Sequence, residues 1–415
     1  MVSTLVSFTA LFTAVFTLLM GVGLLNTLLS LRMTLEGFSP QRTGLIMAAY
    51  FSGLVLGSLT CHRLIRHVGH IRAFAAFAAV ATAAIMLHGL HISALIWGLL
   101  RLSTGITTIG LYMIIESWLA ECTEPNKRGR VFSIYMVLVY LGNGTGQLLL
   151  MAGDVRSQEL FFVSGMLLAL CLVPVALTRS IQPKPPTITH FNPIALLQRA
   201  PLGFLGCTTA GLLLSAFSSM GPVFSHKIGL TVSQTAWLMT TAIAGGLVFQ
   251  LPVGTISDRL DRTVVLSFLG TFVTIISIGI VLLKDQPVGW LFVTMGFFGG
   301  FSFTIYPVAV ARTLDLFEPK DIIPVNSVLL LSYGVGATMG PIIASTVISG
   351  ANNPYGLFGF SAFTSAIYAV ITFYFRQQRK IELIPVEDQV DFMPMNKTSS
   401  GAIAIDPRGE IEAEK

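Results

Sequence analysis

Long apolar stretches, separated by short polar breaks, make up most of this 415-residue chain. A helix that crosses ~30 Å of hydrocarbon needs about 20 mostly apolar residues. The pattern therefore predicts an all-α integral membrane protein with twelve transmembrane helices. The predicted segments, one to twelve, are residues 8–31, 40–61, 73–89, 93–119, 131–151, 159–178, 202–223, 233–256, 263–283, 288–311, 324–349 and 355–375.

The breaks carry ordinary helix-boundary signals. Ser39-Pro40 reads as an N-cap followed by proline at the first helical position. The first apolar stretch is too long for a secretory signal peptide and has no basic start, so we expect it to be retained.

The segment plan occurs twice along the chain, at a nearly fixed offset. The offset is 192 between residues 21 and 69 and 194 between residues 105 and 146. Two equivalent halves in an apolar protein have a natural pathway at the seam between them, which points to transport. The repeated positions are Ser39, Thr43, Met47, Gly53, Gly105, Tyr112, Glu124, Pro125, Gly142 and Gly146, which recur as Thr231, Thr235, Met239, Gly245, Gly299, Tyr306, Glu318, Pro319, Gly336 and Gly340.

Composition and charge agree with a membrane location. The chain is 53% apolar and 11% charged, far more apolar than an average soluble domain. With the N-terminus inside, fifteen basic residues lie on the cytoplasmic side and five on the other, a positive-inside bias. This predicts a multi-pass protein of the bacterial inner membrane with both termini cytoplasmic. The fifteen are Arg63, Arg66, Arg72, Lys127, Arg128, Arg130, Arg179, Lys184, Arg199, Arg259, Arg262, Lys320, Arg376, Arg379 and Lys380, and the five are Arg32, Arg42, Arg156, Lys227 and Lys284.

The predicted partners follow from the same charges. The basic residues are dispersed over loops rather than gathered on one face, which disfavours nucleic acid and favours anionic lipid headgroups. Four cysteines in different segments have no metal-like spacing. We expect a monomer in the lipid bilayer that binds a small-molecule substrate, with no metal and no cofactor other than a proton gradient.

Four regions are predicted. Residues 1–178 form an N-terminal six-helix bundle, and residues 201–380 form a C-terminal six-helix bundle. Between them, the polar, proline-rich residues 179–200 read as a cytoplasmic linker. Residues 381–415 are acidic and lack the apolar pattern, so we expect a disordered cytoplasmic tail.

The loop after segment eight reads Gly254-Thr-Ile-Ser-Asp258-Arg259-Leu-Asp261-Arg262. It resembles the signature loop of the major facilitator superfamily, Gly-x-x-x-Asp-Arg-x-Gly-Arg, with Asp261 in place of the second glycine. The first-half equivalent keeps Gly69 but has Arg66 at the acidic position. The resemblance implies the twelve-helix fold of that superfamily, with two pseudo-symmetric six-helix bundles, and a gating role for Arg66, Gly69, Asp258, Arg259 and Arg262.

Segment four contains Arg101-Leu-Ser-Thr-Gly105, which resembles the superfamily's Arg-x-x-x-Gly motif. At 100° per residue, Arg101, Tyr112 and Glu116 fall on one polar stripe of an apolar helix. A charge at membrane depth costs ~2.5–3.5 kcal/mol on insertion scales, so these side chains should face a cavity or a partner. Arg101 is either a substrate ligand or a structural hydrogen-bond hub, and Glu116 is either the proton carrier or a solvated or gating group.

Segment ten contains Tyr306-Pro307, where the proline removes a backbone hydrogen bond and permits a gating bend. Together with Asn26-Thr27 in segment one, the Tyr50-Phe51-Ser52-Gly53 run in segment two and residues 326–341 of segment eleven, it resembles the YcaD-like branch of the superfamily.

The first helix of each three-helix repeat lines the central cavity in this superfamily. The resemblance implies substrate-binding roles for Asn26, Arg101, Tyr112, Gln147, Ser218 and Tyr306, a proton-coupling role for Glu116 and a gating role for Pro307. Further candidate lining residues are Ser215, Ser219, Ser302, Asn143, Gln250 and Tyr333, whereas Arg312 is expected to snorkel.

The leading hypothesis is a secondary active transporter that moves a small polar or amphiphilic organic solute by alternating access, coupled to protons. The alternatives are multidrug or metabolite efflux by proton antiport and a non-transporting membrane sensor. An enzyme is not expected, because no paired carboxylates, metal cluster or nucleophile-base set occurs at membrane depth. A nucleotide-binding Gly-x-x-x-x-Gly-Lys-Ser/Thr motif is also missing from the sequence.

Overall fold

The computed structural model describes residues 2–124, 127–177, 192–318, 321–378, 384–390, 392 and 393, with side chains described from residue 8 onward. Several predictions made from the sequence lie outside these residues: most of the linker (179–191), most of the tail (394–415) and the repeated prolines at 125 and 319. The same holds for the basic residues Arg179, Lys184, Lys320, Arg379 and Lys380.

The chain is helical throughout the described bundles. Twelve stretches of the described residues are long and apolar enough to cross a membrane, as the sequence predicts. In chain order the helices are α1 Val2–Leu35, α2 Pro40–Val68, α3 His70–Leu90, α4 Ala94–Cys122, α5 Arg128–Leu148, α6 Glu159–Leu170, α7 Leu172–Leu177, α8 Pro193–Arg199, α9 Pro201–Lys227, α10 Val232–Ser257, α11 Arg262–Leu282, α12 Val288–Leu314, α13 Ile322–Gly350 and α14 Gly356–Gln377. Helices α6 and α7 make one crossing, interrupted at Cys171.

Short α8 lies inside the predicted linker. Asn192 caps it by accepting a hydrogen bond from the Ile194 N–H at 2.9 Å, and Pro193 occupies its first position. Residues 193–199 of the predicted linker are thus helical, because a capped apolar turn (Ile194 to Leu197) follows the proline-rich part.

Equivalent helices in the two halves begin in the same way. Ser39 accepts the Arg42 N–H at the start of α2. At an offset of 192, the Thr231 hydroxyl accepts a hydrogen bond from the Gln234 N–H at 3.2 Å. The side-chain oxygen of Gln234 in turn accepts from the Thr231 N–H. The second half therefore carries a complete capping box where the first has only a cap.

The duplication is also visible where helices touch. A Cβ at Gly105 would overlap the carbonyl oxygen of Tyr50, because α4 and α2 are in backbone contact. In the second half, a Cβ at Gly299 would overlap the carbonyl oxygen of Ala242, so α12 and α10 touch at the equivalent point. Both pairs of positions are related by the sequence offsets of 194 and 192.

A second glycine contact repeats in the same manner. A Cβ at Gly146 on α5 would overlap the Met20 carbonyl oxygen on α1, and one at Gly340 on α13 would overlap the Leu212 carbonyl oxygen on α9. Small residues allow such close approach between membrane helices. Gly146 and Gly340 therefore serve the close packing of helices within each bundle.

Two bundles result, α1–α7 and α9–α14, which meet along a seam where α2 faces α13, α5 faces α10 and α1 faces α9. Because short loops reverse the chain, the loops after α2, α4, α7, α10 and α12 share one end, here called the basic face. The remaining interhelical loops define the opposite face.

Contacts near the opposite face hold the two bundles together. The Ser30 hydroxyl donates to the Ser219 carbonyl at 2.8 Å, and the Thr240 hydroxyl donates to the Gly144 carbonyl at 3.2 Å. Gly44, four residues into α2, packs on Ser345, five residues from the end of α13. All of these contacts lie in the parts of the helices that are nearer the opposite face.

We predict that Gly299→Ala lowers the thermal stability of the purified protein, because the added methyl group must displace the backbone of α10. Overpacking of this kind costs roughly 1–3 kcal/mol. Gly279→Ala on α11 is the matched control, since a Cβ there meets nothing within 4 Å. Equal melting temperatures for the two variants in the same detergent would contradict the close-contact assignment.

Candidate functional site

A cavity of about 180 Å³ lies at the seam between the two bundles. It is smaller than the ~300–1,000 Å³ usual for small-molecule sites, so the helices enclose it closely. Both bundles contribute to its wall. The lining residues are Asn26, Thr27, Tyr50, Phe51, Met136, Val139, Tyr140, Asn143, Gln147, Leu214, Ser215, Phe217, Ser218, Met239, Ile243, Phe303, Tyr306 and Tyr333.

Four of the residues predicted to bind substrate line this cavity: Asn26, Gln147, Ser218 and Tyr306. Of the further candidates, Ser215, Asn143 and Tyr333 also line it, whereas Ser219 and Ser302 do not. Ser302 is fully buried and donates to the Phe298 carbonyl of its own helix at 2.6 Å.

Helix α4 stands one layer behind the wall. Among the described lining residues none belongs to α4, although the sequence places Arg101, Tyr112 and Glu116 on its polar stripe. The contact between Gly105 and Tyr50 explains why α4 does not reach the cavity. It brings α2 against α4, so Tyr50 of α2 lies between α4 and the cavity. With a rise of 1.5 Å per residue, Tyr112 and Glu116 lie about 16 Å and about 22 Å from Arg101 toward the basic face.

Arg101 is buried directly behind two lining residues. Its side chain is 1% exposed. One Nη donates to Asn26 Oδ1 at 2.8 Å, and the guanidinium carbon lies 4.2 Å from the centre of the Tyr50 ring. The remaining Nε and Nη1 donors have no acceptor among the described atoms. A structural hub would be better satisfied, so this geometry favours the functional interpretation of Arg101.

The contacts behind the wall orient donors toward the cavity. Arginine can only donate, so the oxygen of the Asn26 amide must face Arg101 and its NH₂ group is directed elsewhere. The Tyr140 hydroxyl accepts from Gln250 Nε2 at 2.8 Å, which leaves its own proton to donate. The buried Tyr306 hydroxyl has no hydrogen-bond partner among the described residues. The wall thus offers three hydrogen-bond donors.

Gln147 has a different role from Asn26. Its Oε1 accepts from the Thr27 hydroxyl, and its Nε2 donates to the Gly23 carbonyl at 3.1 Å. Both ends of the amide are engaged by α1, so Gln147 mainly braces α5 against α1.

The cavity wall is aromatic as well as polar, and sequence reasoning missed much of this. Tyr50, Phe51, Tyr140 and Phe303 line it without having been singled out as ligands. Tyr140 and Phe303, from opposite bundles, pack with their ring centroids 6.0 Å apart and their ring planes tilted by 47°. Neither Asp nor Glu nor Lys occurs among the described lining residues, so the wall has no acidic counter-charge for a cation.

Glu116 lies apart from the cavity. It is fully buried and accepts a hydrogen bond from the Tyr135 hydroxyl on α5 at 2.7 Å. The solvated alternative for Glu116 is therefore wrong. Arg312, expected to snorkel, is also buried, with 4% of its side chain exposed, beside the carboxylate of Asp315.

The signature loop forms a buried charged cluster at the basic face. Arg262 has a fully buried side chain that pairs with Asp258 at 2.9 Å and with Asp315, and its Nε donates to Ser257 Oγ at 3.3 Å. Burial raises the pKa of the Asp315 carboxyl, and the Arg262 guanidinium and the Val390 N–H oppose that rise.

Asp261, which replaces the usual glycine, has two contacts of its own. It caps α11 by accepting the Thr263 N–H at 2.8 Å, and it pairs with Arg376 of α14 at 3.0 Å. The substitution thus ties the loop to the last helix.

The other residues predicted to gate are dispersed. Arg66 and Arg259 are exposed, and Pro307 is buried inside α12. Gly69 joins α2 to α3 as a single residue with φ of 86°, a conformation that glycine adopts without strain. Within the described residues, no group of three or more His, Cys, Asp or Glu side chains is placed to hold a metal ion.

We predict opposite effects of one substitution at the two buried arginines. Arg101→Met should not lower the melting temperature, because it removes donors that lack acceptors, which cost about 1–3 kcal/mol when buried. Arg262→Met should lower it clearly, since leaving the buried Asp315 carboxylate without its partner costs roughly 3–5 kcal/mol. Thermal unfolding of both variants without ligand decides the matter, and a large loss in Arg101→Met would restore the structural-hub interpretation.

Known proteins share both the sequence pattern and the fold. A profile of the Major Facilitator Superfamily matches residues 11–314 and 203–402. An uncharacterized MFS-type transporter of Enterobacter sp. (strain 638) is 29% identical over 335 residues, which span 80% of this chain and 86% of the relative. The uncharacterized MFS-type transporter YcaD of Escherichia coli O17:K52:H18 (strain UMN026 / ExPEC) is 28% identical, over 85% of this chain and 92% of its own.

Solved structures show the same architecture at low identity. The nucleoside transporter NupG superposes with a TM-score of 0.74 at 13% identity, over 91% of this chain and all of that one. A bacterial homologue of the human lysosomal transporter Spinster, in an inward-facing and unoccupied conformation, superposes with a TM-score of 0.68 at 13% identity. The match covers 94% of this chain and 98% of that one. With two equivalent bundles, a cavity at their seam and a matching profile along the chain, the protein belongs to the major facilitator superfamily of transporters, in the YcaD-like branch.

Proposed function

We propose that this protein is a proton-coupled secondary active transporter that moves a small polar or amphiphilic organic solute by alternating access. The observation that carries the proposal is the cavity at the seam, because both bundles build its wall. A solute bound there touches both moving bodies and can couple its binding to their rearrangement.

The contacts across the seam suggest how the bundles move. Glycine contacts such as Gly105 on Tyr50 and Gly299 on Ala242 pack helices within each bundle. The seam near the opposite face is held by the hydrogen bonds from Ser30 to Ser219 and from Thr240 to Gly144, and by the packing of Gly44 on Ser345. Breaking them near the opposite face would let the bundles rock about the cavity. Positive-inside charge makes the basic face cytoplasmic in the proposed bacterial inner membrane.

The cargo proposed here is rich in hydrogen-bond acceptors and is neutral or anionic. The wall offers the Asn26 amide and the Tyr140 and Tyr306 hydroxyls as donors, with the Arg101 charge one layer behind. Aromatic side chains supply a surface for a flat or apolar part of the solute. A wall of this kind disfavours the efflux of cationic drugs, which would be buried without a counter-charge.

Glu116 is the proposed proton carrier. The carboxyl is buried within the N-terminal bundle and accepts a hydrogen bond from the Tyr135 hydroxyl, which can reorganise when the charge changes. Because it lies about 22 Å along α4 from Arg101, proton and solute would be coupled through movement of the bundle rather than by direct contact.

We predict that neutral and anionic metabolites with several carbonyl or carboxylate groups raise the melting temperature of the purified protein, whereas the cation tetraphenylphosphonium does not. A ligand that binds only the folded state at 100 times its Kd adds about 2.7 kcal/mol. Asn26→Leu should abolish the shift, and Ser302→Ala, whose hydroxyl bonds within its own helix, should keep it. Stabilisation by tetraphenylphosphonium alone would refute this cargo class.

We predict that Glu116→Gln uncouples proton movement from solute movement. In proteoliposomes containing a pH-sensitive dye, adding a metabolite that stabilises the wild-type protein should shift internal pH, and the variant should lose that response. Its thermal shift with the same metabolite should persist, because Glu116 is outside the cavity. Unchanged proton movement in the variant would remove Glu116 from the mechanism.

A further inference from the structure

A short part of the C-terminal region is not solvated as its composition predicts. Residues 384–390 with 392 and 393 are here called the docking segment. Residues 385–388 are exposed, whereas Val390 and Phe392 contact the charged cluster of Asp258, Arg262 and Asp315. Composition averaged over residues 381–415 does not reveal this, because Val390, Phe392 and Met393 are a small apolar group in an acidic tail.

The segment binds mainly through its main chain. The Val390 N–H donates to Asp315 Oδ1 at 3.1 Å, and the Val390 carbonyl accepts from the Arg262 guanidinium. The Phe392 N–H donates to Asp258 Oδ1 at 2.8 Å. Each charged residue of the cluster thus makes one hydrogen bond with the main chain of the segment. Hydrogen bonds to charged groups are stronger than those between neutral groups.

Two apolar side chains accompany these bonds. The Phe392 ring occupies the space beside Gly254, where any Cβ would overlap it, and its Cγ lies 3.2 Å from that position. The side chain of Met393 is 8% exposed. Gly254, the first residue of the signature loop, therefore leaves room for the Phe392 ring because it has no side chain.

The ring lies on the side of α10 that faces the other bundle. Gln250 bonds across the seam to Tyr140 of α5, and Gly254 follows it by four residues, so both lie on one face of α10. Helix α5 begins at Arg128 and α10 ends at Ser257, both at the basic face. Phe392 thus sits at the edge of the seam, where the bundles would approach if this face closed.

We propose that the docking segment is a conformational clasp, which when docked holds the basic face of the seam open and leaves when the bundles close there. The inference rests on the proposed alternating access, and it concerns regulation rather than cargo. A docked segment can shift that equilibrium only by its preference for one state. Its contacts with Asp258, Arg262 and Asp315 stabilise the state in which the opposite face is pinned by Ser30–Ser219 and Thr240–Gly144.

Docking itself is tested by a disulfide between Gly254→Cys and Phe392→Cys, after Cys61, Cys122, Cys171 and Cys207 have been replaced. The two positions are within the usual reach of a disulfide. We expect the cross-link to form on mild oxidation, while the control pair Gly279→Cys and Phe392→Cys should not cross-link. Absence of the first disulfide in folded protein would overturn the docking.

The clasp is tested by the distance between spin labels at Ser133→Cys on α5 and Thr255→Cys on α10, in the same cysteine-free protein. Both side chains are exposed and bond only to carbonyls of their own helix, so labelling should perturb little. Deleting residues 384–415 should raise the ratio of short to long distances by about tenfold, equivalent to ~1.4 kcal/mol. Deleting only residues 394–415 should leave the ratio unchanged.

Phe392→Ala, which keeps the chain and its main-chain bonds, provides a second variant should the longer deletion not fold, and it should shift the ratio in the same direction. Identical distance distributions in all folded variants, or a disulfide that forms without the ratio ever changing, would show a permanent strap and overturn the clasp. Because the labels are measured without solute, such a failure leaves the proposed transport function intact.

Discussion

Backbone contact at glycines is the constraint on which this architecture depends. Apolar helices gain little by hiding from lipid, so close packing must hold them together. Gly105 and Gly299 bring α4 and α12 into contact with the carbonyl groups of α2 and α10, and Gly146 and Gly340 do the same for α5 and α13. Each half thus becomes a body that can move as a unit, and a cavity between two such bodies can change its access while each keeps its own shape.

The two buried arginines show how one residue type serves two purposes. Arg262 is surrounded by two carboxylates, a hydroxyl and a main-chain carbonyl, so its charge is compensated inside the C-terminal bundle. Arg101 has one amide and one aromatic ring, and two of its donors have no acceptor among the described atoms. The contacts of Arg262 stabilise the basic-face end of the C-terminal bundle, whereas the incomplete pairing of Arg101 leaves a positive potential behind the cavity wall.

The helix plan was predictable because it follows from hydropathy and from a repeat that survives in small residues and caps. Four of six proposed ligands also lie at the cavity, and three of them, Asn26, Ser218 and Tyr306, are on α1, α9 and α12, each the first helix of a repeat. Tyr112 and Tyr306 show the limit of that reasoning. They are equivalent in sequence, yet Tyr306 lines the cavity and Tyr112 does not. The difference depends on which neighbouring helix intervenes, and tertiary packing decides that. The docking segment escaped prediction because its main-chain bonds leave no compositional signal.

Those main-chain bonds have a consequence for how the C-terminal region can vary. The side chain at position 390 could be exchanged widely, since the Arg262 and Asp315 contacts of Val390 are made by its main-chain groups. Proline is the exception at 390 and 392, because it has no N–H to donate to Asp315 or Asp258. Position 390 is thus restricted in backbone chemistry more than in side-chain identity.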